Sequence, residues 1–280
     1  MRHNYAGDQG DYTKYALLNQ LAGDGQLVVG INWYLTEHHE DNADGGVRPH
    51  LEKPGEWEHL DTPLLTRMVD VFREVAADDR RVQLLHDLQM LHGVKTQPVA
   101  PVFFDDPLPT GGMATAERIA AREAWHRAAM AKLHASDIVF LDPDNGFEVA
   151  SQGPRSKWRC KYATYGEIGD YLARGQAVVC YQHARRVRWA QLVPQLAGDM
   201  RAAGVAMADP GFIAFGTRGF LLLSQEPEVV AKMSGTAQAL CDRLGAEGWR
   251  RLRTTVITPA GPICGAAGAG ARRQAASGGP

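Results

Sequence analysis

The strongest constraint on the fold of this chain is a set of short apolar runs, each stopped by a polar residue. Residues 26–35 read QLVVGINWYL, and residues 99–104 read VAPVFF before Asp105 and Asp106. Residues 137–141 read DIVFL before Asp142, and residues 176–181 read QAVVCY before Gln182 and His183. None alternates apolar with polar, as strands covered on one face do, so parallel strands buried on both faces are expected. Between the runs the apolar spacing becomes helical, over residues 11–21, 62–76, 80–91, 115–133, 165–173 and 186–203. Thr115 is placed to N-cap its helix, and a last helix is expected near 228–244. Residues 211–215 and 219–224 flank Gly216-Thr217-Arg218 and read as a hairpin. Strands alternating with helices predict an α/β fold: a mostly parallel sheet, helices on both faces and an antiparallel hairpin near the end.

Of the 280 residues, 45% are hydrophobic and 22% charged, which excludes a mainly disordered chain, a coiled coil and a collagen-like repeat. The last 22 residues, 259–280, hold 7 Ala and 6 Gly and are expected to form a disordered tail behind one folded domain, 1–258. No run reaches ~18 apolar residues, and the first residues are polar, so neither a membrane span nor a signal peptide is expected. The formal charge of −2 excludes a strongly basic coat but not a local basic patch. Cys160, Cys180, Cys241 and Cys264 form no CxxC pair and read as reduced thiols.

Open α/β sheets bind ligands beyond the carboxyl ends of their strands. Function is therefore sought at Tyr34, Asp105 and Asp106, residues 142–146, and Gln182 with His183. Asp142 stands at the tip of a buried strand, where a carboxylate needs a partner to offset desolvation. Pro143 ends that strand, and Asp144-Asn145-Gly146 is turn chemistry. Near the start, Tyr5-Ala6-Gly7-Asp8-Gln9-Gly10-Asp11-Tyr12-Thr13-Lys14-Tyr15 precedes a helix that needs only one N-cap, and Asp8 or Asp11 can supply it. The second acid and the lysine are then left for other work.

A third feature is basic. Arg155, Lys157, Arg159 and Lys161 surround Trp158, and Arg185, Arg186 and Arg188 precede Trp189. Cations interleaved with aromatics suit phosphate contacts and base stacking. His183 is a candidate general base or a satisfied core histidine. His38-His39-Glu40-Asp41 is too local to ligate one metal ion, and Arg122 and Trp125 read as packing and surface. No Ser-His-Asp arrangement, P-loop or nicotinamide fingerprint is present.

The opening segment and the Asp142 segment, in this order, resemble the bacterial 23S rRNA adenine-N6 methyltransferases of the RlmJ type. That family opens with A-G-N-x-A-D-x-x-K-H; Ala6, Gly7, Asp8, Gly10, Asp11, Lys14 and Tyr15 stand at the matching places. A helical insertion follows its first strand, as residues 60–92 do here. Its D-P-P-Y motif corresponds to Asp142-Pro143-Asp144-Asn145, with aspartate and asparagine replacing the second proline and the aromatic. Phe147 is the nearest aromatic for stacking on a base. The family's first strand ends in a glycine-rich turn, where this chain has Ile31-Asn32-Trp33-Tyr34-Leu35-Thr36. The resemblance implies a Rossmann-like fold whose seventh strand forms a hairpin with the sixth. It also implies S-adenosylmethionine as cofactor, near Asp8, Asp11, Tyr15, Trp33 and Asp105. Catalysis would fall to Asp142, Pro143, Asp144, Asn145 and Lys14, and a nucleic-acid substrate to Lys157, Arg159, His183, Arg185 and Arg186.

Three function classes follow. One is a nucleic-acid methyltransferase. The second is a nuclease or phosphoesterase with Asp8, Asp11, Asp142 and Asp144 around Mg²⁺. The third is a non-catalytic derivative of the fold that binds nucleic acid or protein. Acids converging on one point favour the metal, and an open slot beside the first strand favours the methyl donor.

Overall fold

A computed structural model describes residues 2–23, 27–36, 47–76, 79–87, 101–109, 113–249, 251–259 and 261–263. His38 to Asp41, Cys264 and the rest of the tail lie outside the described residues. The elements run α1 (Gln9–Leu21), β1 (Val29–Asn32), α2 (Pro49–Glu52), α3 (Thr62–Phe72), α4 (Gln83–Asp87) and β2 (Val102–Phe104). Next come α5 (Thr115–Lys132), β3 (Ile138–Leu141), β4 (Gly146–Phe147), β5 (Tyr162–Ala163), α6 (Tyr165–Ala173) and β6 (Ala177–His183). The chain continues with α7 (Trp189–Ala202), β7 (Gly211–Phe215), β8 (Arg218–Leu223), α8 (Pro227–Ala246), β9 (Thr254–Thr258) and β10 (Gly261–Ile263).

Eight strands form one mixed sheet in the order β10-β9-β7-β8-β6-β3-β1-β2. β2, β1, β3 and β6 are parallel, and β8 is antiparallel to both of its neighbours, β6 and β7. β4 and β5 form a separate two-stranded ladder. Both faces of the sheet are covered, which is why the apolar runs do not alternate. Ile31, Phe140, Val179, Ile213 and Leu222 pack with α1, α3 and α8, whereas Val139, Leu141, Cys180, Phe212 and Leu221 pack with α5, α6 and α7. Among the described residues no helix is long and apolar enough to cross a membrane.

Several expected bounds shift for local reasons. Ala114, not Thr115, holds the N-cap position of α5, and the Glu117 carboxylate accepts from the Ala114 amide at 3.1 Å. The helix expected at residue 186 begins at Trp189, because Arg185 donates to the Phe147 carbonyl and the Ala184 amide to that of Thr217. Arg185 and Arg186 therefore lie before the helix rather than in its first turn. Strand β1 keeps only four residues of the apolar run. The helices expected at 62–76 and 80–91 reduce to α3 and α4, residues 88–91 lying outside the described ones. β10 falls inside the stretch expected to be a disordered tail: Gly261 pairs with Thr258 and Ile263 with Val256. A ladder is made by backbone groups, so a side-chain-poor segment can join it.

Candidate functional site

Strand order reverses between β1 and β3, since β2 lies on one side and β6 on the other. This is the switch point where such sheets open a crevice at their carboxyl edge. Asp142 leaves β3 there, its amide donating to the Asn32 carbonyl of β1 at 3.0 Å. Asp8 N-caps α1 by accepting from the Asp11 amide at 2.9 Å. That frees the Asp11 side chain, whose Oδ2 accepts from the Gly7 amide at 2.9 Å. Lys14, three residues on along the same helix face, places its ammonium 2.7 Å from Asp11 Oδ1 and 2.6 Å from Asp142 Oδ2. The two segments that carry the resemblance thus meet in space.

All three side chains are buried. Burial pulls the Lys14 ammonium down, but Asp11 and Asp142 outweigh it and hold it above its ordinary value, so it remains a cation. Burial lifts the Asp11 carboxyl to about 7, with Asp8 and Asp142 adding to the rise and Lys14 opposing it. With both acids ionised the trio carries one negative charge, and it becomes neutral when Asp11 takes a proton. Tyr15, on the next position of α1, is fully buried, and its hydroxyl has no hydrogen-bond partner among the described residues. It packs edge-on against Trp33 at 6.1 Å, and Lys14 Nζ lies 5.6 Å from the Trp33 ring.

The remaining acids each meet a cation. Asp8 Oδ2 is 3.6 Å from Arg218 Nη2, and Asp144 Oδ2 is 3.9 Å from Arg2 Nε. Burial pushes the Asp144 carboxyl up, but neighbouring cations, Arg2 and Lys161 among them, outweigh it and hold it below its usual range. Among the described residues no three His, Cys, Asp or Glu side chains converge to hold a metal ion. Asp11 and Asp142 converge on the Lys14 ammonium instead.

The other predicted residues are spread around this centre. Asp105 stands away from it, at the end of β2, accepting from Gln83 Nε2 at 2.6 Å. Asn145 is fixed by its backbone: its amide donates to the Lys161 carbonyl and its carbonyl accepts from Gln182 Nε2. Phe147 is fully buried in the core between the sheet and α6, so it is not available to stack on a base. His183 pairs with Arg218 across the β6–β8 ladder, and its Nδ1 is 2.9 Å from the Tyr181 hydroxyl. Burial and the nearby Arg218 hold its imidazole below the ordinary value, which keeps it neutral near pH 7. The basic groups flank the β4–β5 ladder. Lys157 and Lys161 both lie over the Trp158 ring, at 4.8 and 5.0 Å. Arg159 pairs with Glu148 at 3.1 Å, Arg185 reaches the Phe147 carbonyl, and Arg186 and Arg188 are exposed.

On the opposite face of the crevice lies a cluster that joins Tyr34, singled out by its place after β1, to Glu167, which carries no such mark in the sequence. Tyr34 follows β1 with φ +46°, a left-handed conformation that costs a bulky residue on the order of 1–3 kcal/mol unless its surroundings enforce it. Its amide donates to Asn32 Oδ1 at 3.2 Å and its hydroxyl to Glu167 Oε2 at 3.0 Å. Glu167 also takes both arms of Arg122, at 2.6 and 2.8 Å. Although burial opposes ionisation, that arginine and the Thr164 amide hold the Glu167 carboxyl down at about 2. Arg122 is therefore a largely buried cation, its side chain 13% exposed, committed to this ion pair. Trp125 packs edge-on against Tyr34 at 5.0 Å, as the packing reading expects. Glu167 had one legible signal, its place three residues after Thr164 in a capping box.

No protein-family model matches the chain, and no curated protein sequence matches it.

Proposed function

We propose that this chain is a nucleic-acid-directed protein of the Rossmann-like methyltransferase fold. The observation that carries the reading is the 2.6 Å contact between Lys14 and Asp142, which joins the opening motif to the strand-end acid at the switch point of the sheet. Strand order supports the fold. β8 runs antiparallel between β6 and β7, in agreement with the hairpin that the resemblance implies. The cations around Trp158 and the exposed Arg186 and Arg188, beside the same edge, support a phosphate-bearing partner.

Methyl transfer would lay S-adenosylmethionine against the carboxyl end of β1. Trp33 and Tyr34 are fully buried there, with Tyr15 and Trp125 packed against them. The described residues do not fit the cofactor, and they favour a derivative of the fold that binds nucleic acid without transferring a methyl group. A second reading, methyl transfer to an adenine amine, is favoured by the Asp142-Pro143 pair that follows β3, the part of the D-P-P-Y motif this chain keeps. It requires Trp33 and Tyr34 to swing out. The magnesium reading finds no ligand set among the described residues, because each aspartate already meets a cation.

Calorimetric titration with S-adenosylmethionine, and separately with single-stranded and duplex RNA and DNA, tests the proposal. Nucleic-acid binding without cofactor binding is the expected result. Micromolar cofactor binding that is lost in Asp142→Ala would establish the second reading, and silence toward every nucleic acid would overturn both.

A further inference from the structure

A second concavity lies away from Asp142, between the first halves of α5 and α6 and the short 3-10 turn at Lys157–Lys161. It encloses about 380 Å³, within the range of small-molecule sites. Its floor is Arg122 with Glu167. Arg122 spends its donors on Glu167 and on the carbonyls of Arg159 and Tyr162, so the floor is rigid and its charges cancel. The walls are apolar at Ile119, Pro109 and Pro154, and Ile119 is 37% exposed with no core to bury it. Arg118, Lys157 and Glu123 supply charge around them. His126 also lines the cavity. It is 8% exposed, its Nε2 meets Asp170 at 2.9 Å, and its Nδ1 has no hydrogen-bond partner among the described residues. A second, shallower hollow of about 440 Å³ shares Ile119, Pro154 and Ser156 with the first and continues the track past it.

We propose that this cavity is a nucleotide subsite, with the base against Ile119 and Pro154 and its phosphate toward Arg118 and Lys157. The inference rests on the nucleic-acid reading and deepens it. Flat apolar walls with polar groups at the edge suit a base, which has a face to stack and an edge to hydrogen-bond. Two cations beside the opening suit a phosphate. Lys161, over the same Trp158 ring as Lys157, continues the cationic surface beyond the cavity, and the adjoining hollow gives room for the next nucleotide. The occupant is therefore one unit of a strand rather than a free nucleotide.

Gly166 makes the test clean. It lines the cavity at the start of α6, and a Cβ there would meet no heavy atom within 4 Å. Gly166→Trp fills the cavity from open space. Gly235→Trp, on α8 and equally open, is the control. Binding of fluorescently labelled eight-nucleotide RNA and DNA strands is followed by anisotropy, and adenosine monophosphate is titrated in parallel by calorimetry. We expect Gly166→Trp to weaken strand binding about tenfold or more, the loss of roughly one stacked base, with Gly235→Trp unchanged. Should Gly166→Trp fail to fold, Ile119→Asp at an exposed position carries the same expectation. Strand binding that survives both variants but falls in Lys157→Glu would overturn the subsite and leave the nucleic-acid reading standing. Binding of the mononucleotide alone, abolished by Gly166→Trp, would keep the subsite and overturn the strand as its occupant. No binding of any probe by the unaltered protein would overturn both.

Discussion

The Lys14 ammonium lies 2.6 Å from Asp142 Oδ2 across a separation of 128 residues in the chain. It lies equally close to Asp11 Oδ1, at 2.7 Å, and so fills the place between the two acids. A buried ion pair adds little net stability while intact, but breaking one is costly because it strands a charge. Lys14→Met is therefore expected to lower stability by about 3 kcal/mol or more, read as a shift in urea unfolding at pH 7. Adding Asp142→Asn should recover part of the loss. A single-variant loss below about 1 kcal/mol would show that the cluster is solvated and the pairing loose.

Asp11 makes stability depend on pH in an unusual direction. Its carboxyl rises from 3.8 to about 7 in the folded protein, chiefly through burial. Between those values the native state holds a proton that the unfolded chain has released, so this group's contribution falls as pH climbs through the window and is level above it. Glu167 acts oppositely and lower. Its contribution is present above 4.5 and is lost as pH falls toward 2. Urea midpoints measured from about pH 4 to 8 should decline less steeply in Asp11→Asn than in the parent. Identical slopes would place the buried proton elsewhere.

Gly146 holds the turn after Asp142 at φ +99°, and a Cβ there would stand 2.5 Å from Gln182 Oε1. That glutamine binds the Phe147 amide and the Asn145 carbonyl, so it cannot yield without releasing the turn. Gly146→Ala should cost about 2 kcal/mol or more, from backbone strain plus a lost hydrogen bond. Gly175→Ala, at φ +78° with open space around it, should cost about 1 kcal/mol from strain alone. Equal losses in the two variants would mean that Gln182 moves aside freely.

Salt dependence separates phosphate contact from other binding. Each cation that neutralises a phosphate adds about 0.7–0.9 to the slope of log affinity against log salt. Lys157→Glu and Arg186→Glu should each weaken strand binding and lower that slope by about 1. An unchanged slope in both would remove the basic surface from the interface.

Much of this was legible in the sequence, for reasons that particular residues make clear. α6 falls at residues 165–173 as expected, because Thr164 and Glu167 form a capping box whose signature is local. The hairpin was readable from Gly216, which turns at φ +65° between two apolar runs. β9 and β10 were not, since a short β-branched run beside an alanine and glycine tail carries no periodicity. At the site, Asp8, Asp11, Lys14 and Asp142 were singled out one by one. Their pairing was not readable, because a contact over 128 residues depends on the order of strands in the sheet. The partnerships of Arg218 with Asp8, and of Tyr34 and Arg122 with Glu167, were not readable for the same reason. Each is ordinary in its own segment and becomes informative only beside its partner.

The packing of α1 has a consequence for how the chain is made. α1 is synthesised well before α8, which spans Pro227–Ala246, yet it is buried against α3 and against α8. Until α8 has been synthesised, Tyr12, Tyr15, Leu17 and Leu18 have no complete surface to cover them. The helix that carries Asp11 and Lys14 therefore takes its full packing only once α8 has been made. A ribosome stalled before residue 227 would display that helix to chaperones and proteases, coupling completion of the site to synthesis of α8.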